Sequence, residues 1–288
     1  MKLPNLMDLA LPQKFIWNDY KIFYENENCL YCIDLPLSVK RINGKRIEIL
    51  ETFTIPTNIT KLSDYCFANC EKLTEIIGLE NVKEIGIGCF LNCPLLEKEK
   101  YPKVKKNVEK YVDQVVKEEH QKQLEEWIGL NCSDIIFDST IDEWKQNTSI
   151  FDERIIGKKQ LVFIIEDVDN EVFGYYLHTK IIGNYEFMNT DFESFEFKLQ
   201  SKKNRLSKPI KFEIKDIERG GYSLSGRSEE ILMNIGDIWL QKENSCHLSY
   251  CDDQRSGLFD YDEIDNALCG KIYPEEFVIK RIIILQMK

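Results

Sequence analysis

Histidine is scarce in this sequence. The 288 residues include only 3 histidines, His120, His178 and His247. Because histidine is the commonest general base and metal ligand near neutral pH, any chemistry that depends on it is confined to these positions. We expect no catalytic residue, no bound metal and no cofactor in this chain.

Long hydrophobic runs are also missing. A membrane-spanning helix needs about 20 consecutive apolar residues, and the apolar run at 282–285 is far shorter. At the N-terminus, Pro4, Asp8 and Pro12 interrupt what would be the apolar region of a signal peptide. We therefore expect a cytoplasmic protein without a transmembrane segment.

Positive charge is in deficit, with 38 Lys and Arg residues against 49 Asp and Glu residues and a net charge of -11. The acidic excess lies mostly in residues 127–288, whereas residues 102–126 are balanced. A negative field repels phosphate backbones, so we expect no nucleic-acid partner. The basic cluster is interpreted as a solvated connection between strands, and it comprises Lys202, Lys203, Arg205, Lys208 and Lys211.

Cysteine, by contrast, is frequent, and its spacing reveals a repeat. Residues 55–77 align with residues 78–100 at a constant offset of 23 residues. The alignment superposes a Cys-Phe-x-Asn-Cys pattern formed by Cys66, Phe67, Asn69 and Cys70 on the copy formed by Cys89, Phe90, Asn92 and Cys93. A period in the twenties is typical of leucine-rich repeats. In a reducing cytosol these residues are expected as thiols that fill a narrow interior, with the asparagines bonding to turn backbone.

This segment resembles the BspA-like class of leucine-rich repeats. In that class the cysteine pattern is followed by Leu-Thr-x-Ile, which the first copy has at residues 73–76. The second copy departs from it at residues 96–99, so we expect it to have lost its strand. Because two clear copies are too few to bury a solenoid core, residues 1–54 should form a cap or degenerate repeats. We predict a repeat segment with an N-terminal cap over residues 1–101.

Residues 102–126 predict a single charged helix. Beyond Pro102 the segment has no proline and no glycine, and Val104, Val108 and Val115 recur at helical spacing. The apolar stripe fades after Val116. We interpret the helix as a linker or docking element.

After Trp127 the pattern becomes that of short, turn-bounded strands. Asp167 to Asn170 has the composition of a hairpin turn. The segment predicts an antiparallel β-sandwich with flanking helices over residues 127–288, which makes the fold class of the chain α+β. The predicted strands are 161–165, 172–177, 195–199, 210–214, 237–240 and 277–285.

Residues 127–288 resemble the TLDc family. The matching segments are Trp127-Ile128-Gly129, residues 157–167 and 173–176, residues 195–199, residues 235–238, residues 266–270 and the terminal strand at 277–285. The family positions, interpreted as structural, are Trp127, Gly129, Gly157, Phe173, Gly174, Gly236, Asp237, Cys269 and Gly270. Many members have a longer glycine run in this loop than the single Gly236 found here.

The resemblance implies a binding role, because no accepted catalytic motif defines the family. TLDc proteins are described as protective against oxidation or as regulators that bind the cytosolic sector of vacuolar-type proton ATPases. A vacuolar-type ATPase subunit is therefore the partner that the resemblance suggests.

Other chemical patterns are incomplete. Cys29 and Cys32 have zinc-ligand spacing, yet no second pair follows. Cys246 and His247 are adjacent in a predicted strand, which would point them to opposite faces. The acidic runs beginning at Asp167 and Asp260 fail the EF-hand template and are interpreted as solvated turns.

We expect a non-catalytic, cytosolic protein-binding or regulatory protein. Two alternatives remain open, a repeat-led scaffold or surface-type binder and a thiol-dependent antioxidant enzyme.

Overall fold

The computed structural model describes residues 21–34, 50–183, 185–201, 208–217, 220–252, 259–261, 267–271 and 275–288, and also the backbone of four short strands before residue 47. The chain divides into two compact units, Met1–Val115 and Val116–Lys288. We call them the N-terminal and C-terminal units. Among the residues described, no helix is both long enough and apolar enough to cross a bilayer.

The described part of the N-terminal unit contains short strands and two 3₁₀ turns, Leu79–Asn81 and Lys98–Lys100, followed by one long helix. The strands are β1 (Asp8–Leu9), β2 (Ile16–Asn18), β3 (Lys21–Asn26), β4 (Cys29–Asp34), β5 (Arg41–Ile42), β6 (Lys45–Arg46), β7 (Thr52–Thr54), β8 (Lys61–Leu62), β9 (Glu75–Ile77) and β10 (Glu84–Ile85). The helix is α1 (Pro102–Val115).

The 23-residue repeat stacks as a solenoid with two parallel strand ladders and a row of hydrogen bonds between turns. β8 pairs with β10, and β7 pairs with β9, each in parallel and one repeat apart. Between these strands the turns also pair, because the amides of Phe67 and Asn69 donate to the carbonyls of Cys89 and Leu91 at 2.9 and 2.8 Å. The backbone of one copy is thus bonded to the next around the coil, which satisfies peptide groups that a loop would leave exposed.

The second copy lacks its second strand, as predicted. Residues that would continue the β7–β9 ladder form the 3₁₀ turn Lys98–Lys100, and α1 follows at once. Val104, Val108, Tyr111 and Val112 of α1 are buried within the N-terminal unit. This helix closes the repeat core, so of the two interpretations of residues 102–126, linker or docking element, the linker is wrong for the first half.

The predicted helix is in fact two helices. α1 ends at Val115, and α2 (Glu118–Ile128) begins after Lys117, whose extended backbone interrupts the helix. The break falls where the apolar stripe fades. The apolar residues on its two sides belong to different cores, since α2 is part of the C-terminal unit and buries His120 and Leu124 there.

The described part of the C-terminal unit has α2, a short helix α3 (Phe151–Ile155) and twelve strands. The strands are β11 (Cys132–Asp138), β12 (Leu161–Asp167), β13 (Val172–Leu177), β14 (Met188–Asn189), β15 (Phe195–Gln200), β16 (Ile210–Glu213), β17 (Gly221–Leu224), β18 (Ile231–Ile235), β19 (Ile238–Gln241), β20 (Ser249–Cys251), β21 (Glu276–Phe277) and β22 (Ile279–Met287).

These strands form two six-stranded antiparallel sheets. The first has the order β11-β22-β12-β13-β15-β16, and the second has the order β14-β17-β18-β19-β20-β21. Side chains from both sheets share one hydrophobic core. The predicted α+β class and the antiparallel strands are confirmed, and each predicted strand overlaps an observed one.

The first sheet is covered on both faces near its centre. On β15, Phe195 and Phe197 contact the indole of Trp127 at centroid distances of 6.1 and 6.4 Å, whereas the alternate residues Glu196 and Lys198 point to the opposite face. β22 is buried almost continuously from Ile282 to Leu285. A strand that is covered on both faces has a continuous run of apolar residues, which explains why residues 282–285 do not alternate between apolar and polar side chains.

Candidate functional site

The Cys-Phe-x-Asn-Cys residues line the interior of the solenoid. The side chains of Phe67 and Phe90 are fully buried and stack in parallel, with centroids 5.4 Å apart and planes 2° apart. Phe23 extends the stack at 5.1 Å from Phe67. Cys66, Cys70, Cys89 and Cys93 are also fully buried. These residues hold neighbouring copies together and present nothing to a partner.

The asparagines turn the chain. Asn69 and Asn92 both adopt left-handed backbone conformations, with φ of 64° and 49°. The side-chain amide of Asn92 donates to the side-chain oxygen of Asn69 at 3.1 Å. Asparagine tolerates this conformation better than most residues because its short side chain bonds locally. The repeated asparagine is therefore a structural residue of the turn.

Outward-facing residues of the same ladders form the exposed surface of the solenoid. Lys61 of β8 lies opposite Glu84 of β10, and their charged groups pair at 2.8 Å. On β3 and β4, Tyr24 and Tyr31 stack at 5.2 Å. We call these four residues the ladder surface. Their regular spacing, one strand apart, suits contact with an extended protein surface.

A second exposed row follows the β7–β9 ladder. Thr52 lies opposite Glu75, and Thr54 lies opposite Ile77. All four are exposed, and Ile77 keeps 47% of its surface accessible. The N-terminal unit thus displays two rows of side chains set by strand pairing.

The helix α1 seals the end of the repeats with polar as well as apolar contacts. The ammonium group of Lys103 donates to the carbonyls of Leu79, Glu80 and Val82 at 2.6–3.3 Å. The amide of Asn107 donates to the carbonyl of Gly86 at 2.8 Å. These bonds satisfy backbone carbonyls of the last copy and hold α1 against it.

Three cysteines of the N-terminal unit, Cys29, Cys32 and Cys89, are poor nucleophiles. Burial raises the pKa of Cys32 to about 12 and raises the pKa of Cys29 and of Cys89. Cys29 and Cys32 also stand three residues apart on β4, so alternation places them on opposite faces. This pair therefore offers neither a shared metal site nor a reactive thiolate.

The centre of the C-terminal unit contains a buried carboxylate cluster that joins the two sheets. Glu196 of β15 is fully buried, and Asp237 lies in the turn between β18 and β19. The amide of Asp237 donates to Glu196 Oε1 at 2.7 Å. The Tyr261 hydroxyl lies 2.6 Å from Glu196 Oε2 and 2.7 Å from Asp237 Oδ2. Burial and the two neighbouring carboxylates raise the pKa of Tyr261 well above its ordinary value.

Gly236 makes this cluster possible. Its φ is +56°, and a Cβ at this position would collide with Glu196 Oε1 and lie 2.7 Å from the ring of Tyr175. Gly174 is equally constrained, because a Cβ there would collide with the carbonyl oxygen of Phe163 on the neighbouring strand. Both positions require glycine for close packing.

A second buried charged group lies beside the β12–β13 turn. Glu171 and Lys198 form an ion pair at 2.8 Å with both side chains fully buried. Asp167 is also fully buried, accepts two amide hydrogen bonds within its own turn, and pairs with Lys271 at 3.4 Å. The hairpin is confirmed, whereas its interpretation as a solvated acidic turn is wrong. The prediction from sequence missed these ion pairs because the lysines that pair with Glu171 and Asp167 lie far along the chain.

The remaining positions that carry the resemblance to the TLDc family lie in turns or in the core. Gly129 ends α2 with φ of +74°, and Gly157 turns the chain with φ of +82°. Phe173 lies in the core in edge contact with Phe277 at 5.1 Å. Cys269 is fully buried, and its thiol lies 3.5 Å from the carbonyl of Glu275. Gly270 has φ of +68°, and a Cβ there would lie 3.4 Å from Glu171 and Lys198.

Some predicted positions lie outside the described residues. In the basic cluster, Lys202, Lys203 and Arg205 fall in this category, whereas Lys211 pairs with Glu213 at 2.8 Å and lies over the ring of Phe195. In the second acidic run only Asp260 is described, and it pairs with Lys215 at 2.8 Å.

The three histidines have separate environments. His120 is buried on α2, and burial lowers its pKa. His178 follows β13 and lies 2.7 Å from Asp191 and 3.3 Å from Glu193. His247 and Cys246 lie in the loop between β19 and β20 rather than in a strand, and both approach Glu230. The prediction that they face opposite sides is wrong, because a loop does not impose strand alternation.

The comparisons with known proteins concern the N-terminal unit. Residues 2–114 match the family model of the BspA type leucine-rich repeat region, in six copies. The chain therefore contains BspA-type repeats from near its start, more than the two copies that the sequence pattern alone revealed. BspA-type repeats indicate a protein-binding scaffold. No TLDc model matches residues 127–288, and no curated protein matches the chain.

Proposed function

We propose that this protein is a non-catalytic binding protein whose BspA-type repeats supply a protein contact surface. The observation that carries this proposal is the ladder surface, in which Lys61 and Glu84 stand in register on parallel strands beside the stacked pair Tyr24 and Tyr31. Repeat proteins use such strand-positioned rows to bind partners, because the rigid stack presents side chains at fixed spacing.

For the C-terminal unit we propose the role that its resemblance to the TLDc family implies. In that proposal the unit either binds a cytosolic partner, a vacuolar-type ATPase subunit, or acts in protection against oxidation. The support is the resemblance itself together with the places of its glycines. Gly174 and Gly236 hold close contacts within the core, as expected in a family defined by its fold rather than by a catalytic motif. A cytoplasmic location belongs to the same proposal.

A repeat-led scaffold is the second candidate, and the match of residues 2–114 to the repeat model favours it. In this alternative the repeats alone select the partner, whereas in the first candidate they add a contact surface to that of the C-terminal unit. The thiol-dependent enzyme has less support, because burial raises the pKa of Cys29, Cys32 and Cys89 and so suppresses their thiolates.

Affinity capture with the full chain separates the two binding candidates. The bait is the wild-type chain or the double variant Lys61→Glu/Tyr31→Ala, and the matched control is Thr54→Ala on the other exposed row. Loss of bound proteins with the double variant alone indicates recognition by the ladder surface. Recovery of proton-pump subunits by all three baits indicates recognition by the C-terminal unit.

The same capture, repeated under oxidising and reducing conditions, tests the proposed link to oxidation. A proton-pump subunit that is absent from every bait would remove that partner from the proposal. Unchanged capture of all proteins by the double variant would remove the ladder surface.

A further inference from the structure

Three potential metal ligands converge at the ends of the two central strands of the second sheet of the C-terminal unit. Glu230 immediately precedes β18, and Cys246 and His247 lie in the loop that follows β19. β18 and β19 are antiparallel neighbours, with Ile231 opposite Gln241. The end of β19 therefore lies beside the start of β18, and the loop returns over Glu230.

The ligand atoms are separated by distances that one metal ion can span. Cys246 Sγ lies 3.5 Å from both Oε1 and Oε2 of Glu230, and His247 Nε2 lies 3.5 Å from Glu230 Oε2. All three ligand atoms lie within 4.8 Å of one another. Tetrahedral zinc, with bonds of about 2.3 Å to sulfur and about 2.0 Å to nitrogen or oxygen, separates its ligands by roughly 3.3–3.6 Å. The three side chains need little movement to meet one ion.

Polar contacts around the three side chains fix the loop. The amide of Lys242 donates to the carbonyl of Glu230 at 2.8 Å, and the amide of His247 donates to the Ser245 hydroxyl at 3.0 Å. The same hydroxyl lies 3.4 Å from Glu230 Oε2. Ser245 thus contacts one ligand and positions another, as outer-shell residues of metal sites do.

We propose that Glu230, Cys246 and His247 bind a divalent cation of the zinc class. Thiolate, imidazole and carboxylate together favour zinc over calcium or magnesium, which prefer oxygen ligands. The His247 side chain is 72% exposed and the Glu230 side chain is 38% exposed, so an ion can enter from solvent and keep water as its fourth ligand. Binding fastens the β19–β20 loop to the start of β18.

Cobalt titration of the full chain under reducing conditions tests the site. Co²⁺ replaces zinc in such sites, and a thiolate ligand gives it an intense charge-transfer absorption in the near ultraviolet. We expect one equivalent of Co²⁺ to produce this band and Zn²⁺ to abolish it. Because Cys246 must lose its proton on binding, affinity should fall as the pH is lowered.

Variants identify the ligands. Cys246→Ser should abolish the band, and Glu230→Gln and His247→Gln should each weaken cobalt binding by at least about tenfold, the smallest loss typical of an outer-shell substitution. Cys29→Ser and His178→Gln are matched controls and should leave the titration unchanged, since neither residue belongs to the site. Circular dichroism should show the same fold for every variant.

Two results would overturn the proposal. One is a wild-type chain that gives no sulfur-to-cobalt band. The other is a band that survives Cys246→Ser or disappears in Cys29→Ser, since either would assign the metal to another cysteine.

Discussion

Replacing Gly236 with alanine should destabilise the C-terminal unit strongly, because two separate penalties act at this position. Gly236 has φ of +56°, a region that costs an L-residue roughly 1–2 kcal/mol. The added methyl would also collide with the Glu196 carboxylate and lie 2.7 Å from the Tyr175 ring. Overpacking of this kind costs about 1–3 kcal/mol. The expected loss for Gly236→Ala is therefore about 2–5 kcal/mol in the free energy of unfolding.

Gly157→Ala is the matched control for the backbone penalty. Gly157 has φ of +82°, yet a Cβ there would meet nothing within 4 Å. Gly157→Ala should therefore lower the free energy of unfolding by the backbone penalty alone, roughly 1–2 kcal/mol. The difference between the two variants in the free energy of unfolding then gives the cost of the steric clash with the buried carboxylate cluster.

Urea unfolding followed by tryptophan fluorescence measures both variants. Three of the four tryptophans, Trp127, Trp144 and Trp239, lie in the C-terminal unit, so fluorescence reports mainly on that unit. Equal destabilisation by Gly236→Ala and Gly157→Ala, within about 0.5 kcal/mol, would refute the packing of Gly236 against Glu196.

Two further predictions concern the repeat core and a half-buried carboxyl group. Phe67→Ala removes the middle ring of the solenoid stack and should lower the free energy of unfolding by about 3–5 kcal/mol. The loss is measured as reduced hydrogen-exchange protection at residues 52–93. The exposed control Ile77→Ala should retain that protection, and an equal loss of protection in both variants would contradict the assigned core. Burial, aided by Glu153 and opposed by Lys242 and Arg227, raises the pKa of Asp152 from 3.8 to about 6. The folded state therefore holds this proton more tightly, and the stability contributed by Asp152 should fall as the pH rises from 4 to 6. Relative to wild type, the free energy of unfolding of Asp152→Asn should therefore rise by about 1–2 kcal/mol from pH 4 to pH 8, allowing for solvent screening. Unfolding curves at both pH values check this. A difference between the two proteins that does not change with pH would contradict the partial burial of Asp152.

Local patterns predicted the elements that depend on local physics. The 23-residue period located the repeats because each copy must bury the same side chains, and the structure stacks Phe67 on Phe90 accordingly. The β12–β13 hairpin followed from its turn residues. The prediction of one helix over residues 102–126 was wrong, because the spacing of valines does not reveal that the two halves join different cores.

The charged core of the C-terminal unit shows where sequence reasoning stopped. Strand β15 alternates Phe195, Phe197 and Leu199 with the charged residues Glu196 and Lys198, an alternation that is visible in the sequence. Their partners are Asp237, Tyr261 and Glu171, which the sequence places up to 65 residues away. No local rule chooses among so many carboxylates.

The sequence by itself determined the repeat, the antiparallel strand pattern and the glycines at strained turns, because these follow from periodicity and backbone sterics. Only the tertiary structure decided that α1 caps the solenoid, that Glu171 and Lys198 pair within the core, and that Cys246 and His247 meet Glu230. Such contacts arise when strands distant in the chain become neighbours in a sheet. Their energies depend on burial and distance, which a linear sequence does not contain.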